Sequence, residues 1–400
     1  MPDVNATRDA HEGIGRRIAR KRRARGLTQQ GLAARAYVSR SLIQQVETGR
    51  KPATPSLVAA VASALHADPS EIYGQPYGNV AGRADRIHDS IDEMRRALAC
   101  ADVPPDLDVP PRSLTKLAAE VAKVRRLAQD AQHLQVGDRI SALLTELSIH
   151  VNETGDPRAW TLLNNTQAIA VSLARRLGYN DLANFGLDRA AAAAARSDDA
   201  NLPRLAQLSR ALLLMTIGAW DSGMRLVQRA GDGMDLDSAE SRAVYGALQL
   251  RAAVLSARAG TAGDAWEYYG LATEAARQLP ERAPDFYGLQ FHPLNVEIHG
   301  VAVAVELTDF DEAIRRDSRL SLPSSVSAER RAHHEIDVGR ALVSTGQWDQ
   351  ALRRLLNAET IAPQMTRYHP MARESVVRLI DHHRTLPEAL RLLQDRMSLA

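Results

Sequence analysis

Gly26-Leu27-Thr28-Gln29-Gln30-Gly31-Leu32-Ala33, a turn at Tyr37-Val38, then Ser39-Arg40-Ser41-Leu42-Ile43-Gln44-Gln45-Val46-Glu47-Thr48-Gly49: this stretch decides the fold of the N-terminal region. Thr28 and Ser39 are suitable N-caps, whose side-chain oxygens accept a backbone N–H one turn into a helix. Leu32, Ala33 and Ala36 against Ile43 and Val46 supply a small-plus-aliphatic contact, and the alanines let two crossed helices approach closely. Upstream, Ile14 and Ile18 lie on a basic first helix. Downstream, Thr54-Pro55 and Asp68-Pro69 each read as an N-cap followed by Pro at the first helical position, opening helices over 56–65 and 70–73. Leu57, Val61, Leu65 and Ile72 then close a small core.

The net charge of +2 means little until it is divided along the chain. Between Gly13 and Lys51 stand eleven basic residues and one acid, Glu47, a local charge of +10 that leaves −8 for the remainder. With Ile43 and Val46 turned inward, the opposite face of the third helix displays Arg40, Ser41, Gln44 and Gln45. These are side chains that read base edges: Arg bonds guanine O6 and N7 together, Gln bonds adenine N6 and N7, and Ser serves a base or a phosphate.

The same residues resemble the Cro/lambda-repressor (XRE) type of helix-turn-helix, with agreement at Leu-Thr-Gln, Leu-Ala, Val-Ser-Arg-Ser and Val-Glu-x-Gly-Arg. The resemblance implies a five-helix unit that binds a double-stranded DNA operator. It places Gln29 at the start of the second helix, where amide and backbone N–H meet phosphate, and it makes Glu47 the partner of a basic residue inside the unit. Arg50 and Lys51 suit phosphate contact too, Ser39 lies on the same face, and Arg16 and Arg20 are the candidates from the basic first helix. A basic run is ordinarily a solvated face, so some of Arg16 to Arg25 are expected near phosphate and the rest only in water. Gly31 departs from the usual polar residue, and nothing in the sequence explains it.

Four hundred residues with 45% apolar content exceed one such unit and bury more than one core. Apolar residues recur at three- and four-residue spacing throughout with few alternating β-branched runs, so the fold class is all-α. Gly74-Gln-Pro-Tyr-Gly78 closes the first unit, and Val103-Pro-Pro-Asp-Leu-Asp-Val-Pro-Pro111 is incompatible with helix. Between them Ile87, Ile91, Met94 and Leu98 form a helical seam with two open uses: a dimer contact, or packing within its own domain. The expected organisation is residues 1–12 without fixed structure, 13–75 the DNA-binding unit, 76–112 a connecting helix and Pro-rich linker, and 113–400 an α-solenoid.

The solenoid rests on a repeat. Gly339, Gly346-Gln-Trp348-Asp-Gln-Ala351, Leu355, Ala358 and Pro363 resemble the tetratricopeptide pattern in both residue type and spacing. Small residues let the paired helices approach, the aromatic fills the gap to the next unit, and Pro ends the second helix. Weaker copies begin at Gly178, Gly218, Gly260 and Thr308, the last standing in for glycine. Successive starts are separated by 40, 42, 48 and 38 residues, so helices or loops are longer than usual. Residues 363–400 read as a capping pair.

The single cysteine, Cys100, forms no intrachain disulfide, and no leader or stretch of about 18 apolar residues is present, which fits a cytoplasmic, nucleoid-associated protein with no membrane contact. His292 with His299, His333-His334 with Asp337, and His382-His383 do not make a metal site, because adjacent histidines on one helix diverge by about 100°. No phosphate-binding glycine loop or nucleophile–base grouping stands out; neither enzyme activity nor a cofactor is expected. Asn164, Asn165 and Gln167 on an early inner helix, with Asn295 and His299 on a later one, are candidates for gripping a peptide backbone; bridging between helices is the equal alternative.

An XRE-type reader followed by tetratricopeptide-like pairs is similar to the peptide-sensing regulators of the Rgg and PlcR type, and closer in texture to Ala- and Arg-rich actinobacterial regulators. That implies a homodimeric transcriptional regulator whose solenoid senses a peptide or small molecule, or serves as dimer platform. The other reading is a DNA-tethered scaffold that recruits a protein partner and takes no small ligand.

Overall fold

A computed structural model describes residues 13–77 and 87–399. The 1–12 stretch expected to lack fixed structure lies outside the described residues, as does the start of the connecting segment at 78–86. Among the described residues every regular element is helical.

Five helices form the N-terminal unit: α1 (Ile14–Ala24), α2 (Gln29–Arg35), α3 (Arg40–Glu47), α4 (Pro55–Leu65) and α5 (Pro69–Tyr73). Capping chemistry sets where four of them start. Side-chain oxygens of Thr28, Ser39, Thr54 and Asp68 accept the N–H groups of Gly31, Leu42, Leu57 and Ser70 at 3.0, 3.1, 3.2 and 2.7 Å. Each such cap contributes about 1 kcal/mol, and Asp68 extends its own into a reciprocal box with Glu71. Where α1 crosses α3, a Cβ on Gly15 would stand 2.0 Å from the carbonyl oxygen of Val46, so the crossing requires glycine. Ile18, Leu32, Ile43, Val46, Leu65 and Ile72 fill the centre and are fully buried.

Behind this unit come α6 (Ser90–Ala99), α7 (Leu114–Gln129) and α8 (His133–Thr154), then five antiparallel pairs. The pairs are α9 (Pro157–Leu177) with α10 (Asn180–Ala194), α11 (Leu202–Thr216) with α12 (Trp220–Gly231), α13 (Ala239–Ala259) with α14 (Ala262–Arg277), α15 (Pro293–Glu306) with α16 (Phe310–Asp317), and α17 (Ala328–Ser344) with α18 (Trp348–Ile361). The first helices of successive pairs from α11 to α17 pack on one another, giving an α-solenoid with an inner and an outer layer. Every pair turns on the residue at which a repeat was expected to begin. Gly178, Gly218, Gly260 and Gly346 have φ of +89°, +78°, +83° and +76°, and Thr308 takes the same left-handed conformation at +61° despite its Cβ. Gly339 lets Leu355 come within 3.3 Å of where a Cβ would be, and the Trp348 ring stacks on His382 of a later helix at 4.1 Å.

One open alternative is decided and one expectation corrected. The Ile87–Leu98 seam is spent inside its own chain: α6 lies against α8, and Ile87, Ile91, Met94 and Leu98 share a core with Ile140, Leu143 and Leu147, each at most 2% exposed. It therefore offers no dimer surface. The expected capping pair at 363–400 is, over the described residues 363–399, three helices instead, α19 (Pro363–Tyr368), α20 (Pro370–His382) and α21 (Glu388–Met397), because Pro370 restarts the chain two residues after α19 ends.

The solenoid curls until its beginning meets its end. Arg176 of α9 pairs with Glu329 of α17 at 2.6 Å, and the Leu134 N–H of α8 donates to the Gln364 side chain of α19 at 3.0 Å. The N-terminal unit docks against the C-terminal ends of the inner helices and the turns that follow them. Ser56 donates to the Arg258 carbonyl at 3.0 Å, Gln75 to that of Arg176 at 3.4 Å, and Asn180 donates to Asp68 at 3.2 Å. Ala59 sits on Gly218, where a Cβ would be 3.0 Å away. Helix α20 holds the other side: Ile14 N–H donates to Glu374 at 3.3 Å, and Arg378 donates to the Gly49 carbonyl at 2.6 Å.

Candidate nucleic-acid interface

The hub of the N-terminal unit is a buried ion pair. Arg22 Nε and Nη2 reach the two carboxylate oxygens of Glu47 at 2.6 and 2.9 Å, its Nη1 donates to the Leu27 carbonyl at 2.8 Å, and Gln29 Nε2 donates to Glu47 at 2.8 Å. One carboxylate thus ties α1, the start of α2 and the end of α3 together. Burial works against its charge, but the Arg22 and Gln29 hydrogen bonds prevail and hold the carboxyl below the ordinary glutamate range. Glu47 accordingly sits inside the unit with a basic partner. Arg22 is structural, and so is Arg17, which is buried and donates to the Tyr73 carbonyl at 3.0 Å. These two cations of the Arg16–Arg25 run are therefore neither phosphate contacts nor merely solvated, because each caps carbonyls within the unit.

With the inward face of α3 fixed, the outward face is free of the protein's own packing. Arg40, Ser41 and Gln44 are exposed, and Gln45 is half-buried with its amide donating to Ser41 Oγ at 2.9 Å. The helix is eight residues, roughly 12 Å at 1.5 Å per residue, comparable to the width of a B-DNA major groove. Arg40 has no hydrogen bond or ion pair among the described residues. Just past the helix, the N–H groups of Arg50 and Lys51 both donate to the Gln45 carbonyl, at 2.7 and 3.1 Å, which leaves their exposed side chains beside the end of α3.

The remaining candidates divide. Ser39 caps α3 through Leu42 N–H, so its hydroxyl is engaged while its position is at the exposed edge. Gln29 gives one N–H to Glu47 and keeps its carbonyl oxygen and backbone N–H. Arg16 is exposed and lies 3.9 Å from Asp381 of α20; Arg20 is exposed and engaged within the chain. Sequence reasoning passed over Tyr37: the turn between α2 and α3 places it at φ +55° with 96% of its surface exposed, a bulky aromatic held where glycine is favoured. Its signal was an aromatic at a turn, easily read as core.

Residues 14–72 are a helix-turn-helix domain. They match the family described as "Helix-turn-helix domain", of the XRE-like type, over that span. No curated protein matches the chain.

The solenoid candidates are placed as follows. Asn164 is buried and donates to the Ala190 carbonyl at 2.7 Å, tying α9 to α10. Asn165 is half-buried, whereas Gln167 is buried and leaves its side-chain oxygen without a partner. Asn295 is 2% exposed with its side-chain oxygen also unpartnered, and His299, one turn on, bonds the Asn295 carbonyl through Nδ1 at 2.8 Å. The histidine pairs serve packing: His334 bonds Asp317 at 2.8 Å, His292 caps α15, and His382 stacks on Trp348. Among the described residues no group of three or more potential ligands could hold a metal ion, and no helix is long and apolar enough to cross a membrane.

Proposed function

We propose that this protein is a sequence-specific transcriptional regulator that lays α3 in the major groove of an operator. The observation that carries the reading is the division of charge on α3: its one acid is turned inward onto Arg22, while Arg40, Ser41 and Gln44 face outward, Ser41 engaged only by the neighbouring Gln45 amide. Arg40, Ser41 and Gln45 read base edges, with Gln44 beside them; Gln29, Ser39, Arg50, Lys51, Arg16 and Arg20 meet phosphate. Residues 13–75 form the reader and 113–400 the solenoid, which is of tetratricopeptide kind.

The protein acts as a homodimer on two half-sites about one helical turn apart, and the solenoid senses a small effector. Direct contact supports coupling between reader and solenoid, since Gln75 and Ser56 hydrogen-bond the ends of inner helices. An effector that shifts those ends biases how the reader is held.

The test compares Arg40→Ala with Lys51→Ala on a selected operator and on random duplex. Arg40→Ala lowers the preference for one base position, by about 1–3 kcal/mol. Lys51→Ala weakens all sequences alike and flattens the salt dependence by about one unit of log K per log[salt]. Equal losses on operator and random DNA for both variants would remove Arg40 as a reader.

A further inference from the structure

Six guanidinium groups face three carboxylates in the interior of the curled solenoid. Arg176 pairs with Glu329 at 2.6 Å, Arg258 and Arg340 share Glu306 at 3.0 Å each, and Arg340 also holds Asp337 at 2.9 Å. Each of these three carboxylates is thus already engaged. Arg175 and Arg251 have no ion pair or hydrogen bond among the described residues, and Arg330 reaches only the outer oxygen of Glu329, at 3.6 Å, with its Nε otherwise unpartnered.

These three arginines come from three inner helices, α9, α13 and α17, and converge. Arg175 lies within the field of Arg176, Arg251, Glu329 and Arg258, and Arg251 within that of Arg330 and Arg258. Each is half-buried. Burial and then the neighbouring arginines push Arg175 down to about 9 and Arg251 to about 10. From α15, His299 joins the same group, within the field of Arg330 and Arg251, and Asn295 one turn away is buried with an unpartnered side-chain oxygen. Guanidiniums that outnumber the carboxylates beside them, held together at the cost of solvation, favour a bound anion. Guanidinium forks suit that task because each grips two oxygens of a phosphate or carboxylate at once.

We propose that the solenoid interior is a binding site for a compact polyanionic small molecule, phosphorylated or polycarboxylic, clasped by Arg175, Arg251 and Arg330. This deepens the effector reading above and rests on it for its consequence, not for its existence. The site adjoins the reader: Arg176, next to Arg175, receives the Gln75 hydrogen bond through its carbonyl, and Tyr73 at the end of α5 lies in the field of Arg258, Glu306 and Arg340. An anion drawing Arg175 inward acts on the segment that holds the end of the helix-turn-helix domain. The clasping residues are arginines rather than the asparagines expected from sequence, although Asn295 and His299 of that expectation lie beside them, and the ligand they select is charged.

The experiment uses the full chain with inorganic pyrophosphate and, separately, citrate as probes, against sodium chloride at matched ionic strength. Thermal unfolding shifts upward by about 2 °C or more with at least one probe, and which probe works separates phosphorylated from polycarboxylic ligands. Arg175→Met and Arg251→Met abolish the shift, and each melts at or above the unliganded wild type because a like-charge contact is gone. Arg251→Lys keeps the charge but loses the fork, and calorimetry gives binding at least tenfold weaker. Arg40→Ala with Lys51→Ala, on the DNA-facing side, leaves the shift intact. The proposal is overturned if neither probe shifts the wild type, or if the shift survives both Arg→Met variants, which would place the ion on the basic reader instead. DNA affinity measured with and without the active probe separates the two claims. Binding that leaves DNA affinity unchanged contradicts the effector role and upholds the site; absence of binding removes the site and leaves the effector role to other ligands.

Discussion

Replacing Glu47 by Ala tests the claim that one buried carboxylate organises the reader. In the folded chain its side chain is 5% exposed and that of Arg22 is 9% exposed, so the substitution leaves a guanidinium enclosed with only the Leu27 carbonyl for company. Breaking a buried pair from one side costs about 3–5 kcal/mol, most of it the stranded charge. Gln29 loses its acceptor at the same moment, freeing the start of α2. Hydrogen exchange read by mass spectrometry on peptides spanning 28–49 reports the local opening equilibrium. It should accelerate on the order of a hundredfold, the equivalent of the lower end of that cost.

The double variant Arg22→Met/Glu47→Ala removes the stranded charge and should recover at least about 1 kcal/mol relative to the sum of the single changes. The pH dependence follows from the same pair. Because the folded carboxyl is held below its ordinary value of 4.5, its contribution is present above that value and lost as pH falls through the folded one. Wild-type protection of α2 and α3 should therefore decline at acid pH, and Glu47→Ala should flatten that decline. Exchange accelerated less than about fivefold, or strictly additive variants, would refute the reasoning.

Two further perturbations probe the solenoid and the seam between domains. Thr308→Gly relieves a β-branched residue at φ +61° and should stabilise the chain by about 0.5–1 kcal/mol, seen as a higher thermal midpoint; a lower midpoint would mean that the threonine side chain is needed there. Asp381→Asn removes an exposed carboxylate 3.9 Å from Arg16 and near Gly49, so binding to any duplex at low salt should tighten about twofold, the effect of roughly 0.5 kcal/mol of relieved repulsion; weaker binding in fluorescence anisotropy would show that Asp381 instead positions Arg16.

Local chemistry was legible in the sequence where one or two neighbouring residues carry it. Thr28, Ser39, Thr54 and Asp68 announce helix starts because a cap needs only its own short oxygen and an N–H two or three residues on. The repeat turns were legible for the same reason, and Thr308 could be placed among glycines because its neighbours fit the pattern. Long-range chemistry was not. Arg17 and Arg22 look like members of a solvated basic run, and only the arrival of Tyr73 and Glu47 from later in the chain gives them carbonyls and a carboxylate. The Ile87–Leu98 seam has one periodicity for two uses, and the choice depended on α8 lying across it. Helix α20 meets the reader more than 300 residues away, and Arg175 and Arg251 become conspicuous only when the curl of the solenoid brings them together with too few acids to match.

The central claim is that α3 reads a defined sequence, and selection of bound duplexes from a random library by the full-length protein tests it most directly. The account predicts an enriched motif with two half-sites about 10–10.5 base pairs apart, or a multiple of that, and with Arg40→Ala a loss of preference confined to one position in each half-site. Duplexes recovered without any common motif, bound only in proportion to their length and lost at modest salt, would contradict it.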